Sequence, residues 1–199
     1  FSPQVLLLPY LEEATLYHSI NFDTFPRGSA YYGDLNLTAS STRIDTFLCP
    51  SDPMVSAGGI APVSYRCNKG VEQFTFSGGV YHLVDSGVFT APEPVRRLSE
   101  ISDGQSTTLA FSEKPIGSST SKRDYSPFRD WTESKRSAVS ADEHVASCSL
   151  ATADWPQRLD SGRTWLSSGA INTAFYAILP PNSPIPDCGS SNNGGNGVF

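Results

Sequence analysis

The residues able to do chemistry in this chain are spread along it. There are 20 Asp and Glu and three His. Asp130, Glu133, Asp142 and Glu143 share one polar stretch, and Glu12 and Glu13 are adjacent. General acid–base work needs two groups converging on one reacting atom. Neighbours on a helix diverge by about 100°, so Glu12 and Glu13 read as a solvated face. His18, His82 and His144 stand far apart with no ligand spacing around them, which argues against zinc. Ser112-Glu113 could present a nucleophile, but no histidine stands in a recognisable context beside it. Asp52 and Asp103 each invite calcium, which takes about six to eight oxygens. Glu100, Ser102, Ser106 and Thr107 lie near Asp103 in sequence and fall short of that number. Asp52, one carboxylate beside a Ser, is therefore read as a turn cap, and Asp103 first as a turn residue and only second as a metal candidate. There is no P-loop, dinucleotide fingerprint, G-x-S-x-G elbow or H-E-x-x-H. No catalytic residue and no cofactor is expected, and a hydrolase would rest on scattered carboxylates alone.

Binding chemistry is better represented. Tyr31, Tyr32, Tyr125, Trp131, Trp155 and Trp165 are rings that could stack on a sugar. Such rings also serve to pin long loops to a small core. Cys49, Cys67, Cys148 and Cys188 form no C-x-x-C pair. An even count in a chain rich in Ser, Thr and Asn suits two disulfides in an oxidising compartment. Four cysteines allow three connectivities; nearest-neighbour pairing, Cys49–Cys67 and Cys148–Cys188, is the expected one. Four buried thiols are the alternative.

The elements that must position these groups are short. The 15 Pro and 16 Gly break the chain, and 199 residues can bury one core. We therefore expect one α+β domain over 1–199. A net charge of −6 argues against a nucleic-acid partner, which needs a positive footprint. No stretch reaches the roughly 18 apolar residues of a membrane span. Ser2-Pro3 starts a helix, Pro9 restarts it, and Leu11, Leu16, Tyr17 and Ile20 approximate its apolar face. Asn36-Leu37-Thr38 matches a glycosylation sequon. Ser64 to Asn68 reads as a short extended segment. Asp103-Gly104 is a turn feeding a strand at 107–111, with Leu109 and Phe111 on one buried face. Residues 117–143 read as an exposed polar excursion. The chain opens on Phe1 and stops on Gly197-Val198-Phe199, and we expect it to be an internal piece of a longer protein.

Several blocks carry a resemblance, in order: VLLLPYLEEATLYHSINF at 5–22, RIDTFLCPSDP at 43–53 and SYRCNKG at 64–70. DSGVF at 85–89, RRLSEISDGQSTTLAFSEK at 96–114 and NTAFYAILPPNSPIPDC at 172–188 follow. The chain resembles the planctomycete DUF1559 family, prepilin-type proteins of unknown function. Similar members begin with a processed, methylated leader and a long apolar helix. They end in a strand-rich tail with a His nine residues before an Asp-Gly; neither part is in this chain. The resemblance implies a pilin- or pseudopilin-like fold, an amino-terminal helix packed on an antiparallel sheet with long inserted loops. It implies a non-enzymatic head in the cell envelope, periplasmic or at the surface, touching the membrane only through the upstream helix. Its implied partners are other pilin-like subunits or components of a type II secretion or type IV pilus-like machinery. A solute-binding label on the family keeps a second class alive, an extracytoplasmic module for solutes or glycans.

Overall fold

The computed structural model describes residues 1–24, 26, 35–52, 60–71, 73–77, 80–84, 86–89, 96–118, 126, 128–134, 141–150, 157–169 and 171–190. Mixed helix and strand make the chain α+β. Helix α1, Pro3–Leu7, begins where Ser2-Pro3 predicts. Ser2 does not cap it in the usual way: its hydroxyl donates to the carbonyl of Trp165 instead. A 3₁₀ turn, Leu8–Leu11, carries Pro9, and Glu12 ends it at φ +65°. The break places Glu12 and Glu13 between helices, so α2 is Ala14–Ser19 and starts later than Pro9 suggests. Both segments face one core of Val5, Leu8, Ile20, Ile44, Phe47, Val63, Trp165 and Leu166. Gln4, itself buried, donates to the carbonyls of Tyr65 (3.0 Å) and Thr173 (3.1 Å). That side chain fastens the amino-terminal helix to the main sheet. Helix α3, Leu37–Ser41, follows, with Asn36 2% exposed and bonded to Asn21. A side chain so placed cannot carry a glycan, so the sequon is a structural asparagine.

The described strands form three small sheets. In the first, β1 (Tyr65–Asn68) is central, antiparallel to β4 (Phe111–Glu113) and parallel to β7 (Ala174–Phe175). The second is a hairpin, β2 (Gln73–Ser77) with β3 (Val80–Val84). In the third, β5 (Trp131–Ser134) lies antiparallel to β6 (Gln157–Arg158) and parallel to β8 (Cys188–Ser190). Helix α4, Ala141–Cys148, packs on β5 and β8. Two of these sheets are mixed, where a purely antiparallel one was expected. Parallel neighbours need a long crossover, and the 106 residues between Asn68 and Phe175 supply one that no local pattern encodes.

The strand expected at 107–111 begins only at Phe111. Thr107 and Thr108 turn their hydroxyls onto the Gly104 carbonyl (3.0 and 2.9 Å), which extends the turn. Leu109 is 56% exposed, not buried. The expected excursion at 117–143 is also different where it is described. Asp130, Trp131 and Thr132 are buried, and β5 is the middle strand of its sheet. Asp130 holds that stretch: its carboxylate accepts the N–H groups of Ser118 and Ser126, both at 2.9 Å, and the Ser118 hydroxyl at 3.3 Å.

The disulfide Cys148–Cys188 ties α4 to β8, with Cα atoms 5.6 Å apart. No disulfide joins Cys49 to Cys67, and both are thiols. Cys67 sits in the middle strand of the main sheet at 0% exposure, and Cys49 is half-buried after the 3₁₀ turn Asp45–Phe47. Spacing along the chain fixed neither position, so nearest-neighbour pairing held for one pair only.

Candidate functional site

A groove of about 440 Å³ runs between the first and third sheets. One wall is β4 with Arg66 of β1; the other is β5 and α4 with the disulfide. The segment 176–187 crosses it as a strap with prolines at 180, 181, 184 and 186. Proline cannot donate to a sheet ladder, which keeps this segment an arch and not a further strand. The strap is pinned at both ends. The Ala177 N–H donates to Gly70 (2.8 Å), and the Asp187 carbonyl accepts from the Thr132 N–H (3.0 Å).

Four charged residues line this space: Arg66, Glu113, Lys114 and Asp187. Arg66 is 2% exposed, an unusual place for a guanidinium. It donates to the Ser161 hydroxyl at 3.0 Å. Burial pulls its pKa down to about 10, against the upward pull of the Asp187 carboxylate. Lys114 pairs directly with Asp187 across the groove. Burial, with Arg66 adding to it, holds the Lys114 ammonium below the usual lysine range; Asp187 and Asp130 pull the other way. Asp187 itself is half exposed, its side chain at 49%. Gly162 lies against Arg66 at φ +68°, where a Cβ would meet the Val63 carbonyl at 2.6 Å and the Arg66 guanidinium at 2.9 Å. The remaining wall is apolar: Leu109, Phe128, Trp131, Val145, Ile178 and Leu179.

The residues singled out from sequence divide sharply. Trp131 is 8% exposed in the groove wall, and Trp165 is 0% exposed in the core. Trp165 donates its indole N–H to the Thr42 carbonyl at 3.0 Å and packs near Phe47. Neither ring offers the open face that a sugar-stacking platform needs. Tyr31, Tyr32, Tyr125 and Trp155 lie outside the described residues. Asp103 is exposed; among the described residues its carboxylate is near only the Ser102 hydroxyl (3.4 Å), while its carbonyl takes the Thr107 hydroxyl. Among the described residues no three His, Cys, Asp or Glu side chains gather as a metal site would need. Asp52, read as a turn cap, reaches much further: it accepts the Ile116 N–H at 2.7 Å. Ser112 and Glu113 line the groove beside Lys114.

Arg66, Lys114 and Asp187 were not singled out from sequence. Lys114 and Asp187 are 73 positions apart, so nothing local joins them. Arg66 did carry a signal, a charge set between Tyr65 and Cys67 in a short strand pattern.

An α+β scaffold with a charged groove and an interior disulfide is the class that these features define. The profile of the family described as "Protein of unknown function (DUF1559)", short name SBP_bac_10, matches residues 1–198, and the chain belongs to that family. No curated protein and no solved structure matches it. No described helix is long and apolar enough to cross a membrane.

Proposed function

We propose that this chain is the extracytoplasmic head of a non-enzymatic cell-envelope protein, pseudopilin-like in build. The observation that carries the reading is the Cys148–Cys188 disulfide, since such bonds form and persist in oxidising compartments. The Gln4 bonds to Tyr65 and Thr173 support it, because they lay an amino-terminal helix on a sheet. Its partners on this reading are pilin-like subunits or components of a type II secretion-like assembly. The test is protease accessibility of the full-length protein in intact native cells after the outer layers are permeabilised. A head degraded while the inner membrane is still sealed agrees with the proposal. A head protected until the inner membrane is lysed contradicts it.

A second reading is favoured by one observation, the groove. Its 440 Å³ lies in the range of small-molecule sites, and an apolar wall with a few charged groups is their usual composition. On that reading the head is an extracytoplasmic solute-binding module. Calorimetric titration with solute panels tests it, and heat of binding to none of them would remove it.

A further inference from the structure

Resting on the solute-binding reading, we propose that the groove holds a small organic acid. Its apolar body lies between Trp131 and the 176–187 strap, and its carboxylate takes the place of the Asp187 carboxylate on Lys114. The chain already shows what Lys114 accepts, because Asp187 supplies a carboxylate there. That carboxylate is built to leave. The backbone of Asp187 is fixed by Thr132 and by the disulfide at Cys188, while its side chain is 49% exposed. It can swing into solvent without moving the strap. Lys114 cannot follow, since its side chain is 13% exposed. With Asp187 away, Lys114 and the buried Arg66 would face the groove with their main local carboxylate gone. Asp130 does not replace it, because its oxygens are engaged by Ser118 and Ser126. Glu113 is exposed at the rim. A bound carboxylate restores the balance, and a buried cation strongly favours that.

The rest of the lining specifies the ligand's other end. Leu109 and Phe128 stand 56% and 59% exposed at the groove, where an apolar body would cover them. A neutral sugar would set hydroxyls against this wall without partners, which is unfavourable.

Hexanoate, hexanamide and acetate distinguish the parts of the proposal in calorimetric titrations. Hexanoate should bind, with hexanamide and acetate each about tenfold weaker or more, since a charge-assisted contact and a buried chain are lost in turn. Asp187→Asn should tighten hexanoate by about three- to fivefold, the scale of a partly exposed ion pair. A merely structural Asp187 would give weaker binding instead, and that result overturns the exchange. Lys114→Gln, checked for native circular dichroism, should bind acid and amide alike. Equal affinity for hexanoate and hexanamide in the unchanged protein overturns acid recognition. Binding of neutral sugars or amines with no hexanoate binding overturns the ligand class and leaves solute binding standing. Silence across all panels removes the solute-binding reading as well.

Discussion

At the scale of single residues, the molecule is governed by a few buried polar groups. Asp130 is the clearest, because it satisfies two backbone N–H groups that would otherwise be orphaned. Asp130→Ala should cost about 3 kcal/mol in urea unfolding, and a loss under about 1 kcal/mol would show that water replaces it. Gly104 sits at φ +91°, and a Cβ there would meet the Thr107 hydroxyl at 3.0 Å. Gly104→Ala should therefore cost about 1 kcal/mol or more, while Asp103→Asn stays within about 0.5 kcal/mol, since among the described residues the Asp103 side chain holds nothing but a long contact to Ser102. A chelator should leave both melting temperatures unchanged. Asp160 gives a pH signature. Burial alone would raise its carboxyl, but the two-pronged Arg158 contact holds it below its ordinary 3.8. A lowered folded value means stability that is present above 3.8 and lost as pH falls through the lower folded value. The stability difference between the protein and Asp160→Asn should be full at pH 6 and shrink steadily through that acid window. A difference independent of pH would contradict the assignment.

At the scale of elements, legibility follows the distance over which a contact is made. Ser2-Pro3 marked the start of α1, Ser64 to Asn68 marked β1, and Asp103-Gly104 marked its turn, because each depends on near neighbours. The 107–111 strand failed for a related reason: β propensity in Thr107 and Thr108 lost to hydroxyl bonds back onto Gly104. The β1–β7 and β5–β8 pairings, the Lys114–Asp187 bridge and the anchor from Asp52 to Ile116 join distant segments, and no periodicity announces them. Cysteine pairing shows both cases. Closing a loop across 40 positions, Cys148–Cys188 should contribute about 4 kcal/mol by chain entropy. Denatured but unreduced protein should expose two thiols, mapped by alkylation to Cys49 and Cys67. No titratable thiol would restore the second expected bond, and four would remove the first.

At the scale of the whole molecule, the groove depends on what lies between sheets. The main sheet supplies Arg66 and β4, the third sheet supplies Trp131, and the strap spans them under the control of Asp187 and Cys188. None of this was readable from composition, which limited the expectation to an α+β domain with aromatic and acidic candidates. Of the aromatic residues proposed for binding, Trp131 alone reaches the groove among those described, and as a wall more than a platform. Membership of the family over residues 1–198 assigns the chain no task by itself. The mature amino terminus of the full-length protein, read by mass spectrometry from native envelope fractions, tests the proposal of a pseudopilin-like head most directly. A cleaved leader and a methylated terminal amine ahead of an apolar helix is the expected result. An uncleaved, unmethylated terminus on a protein recovered from the cytosol would contradict it.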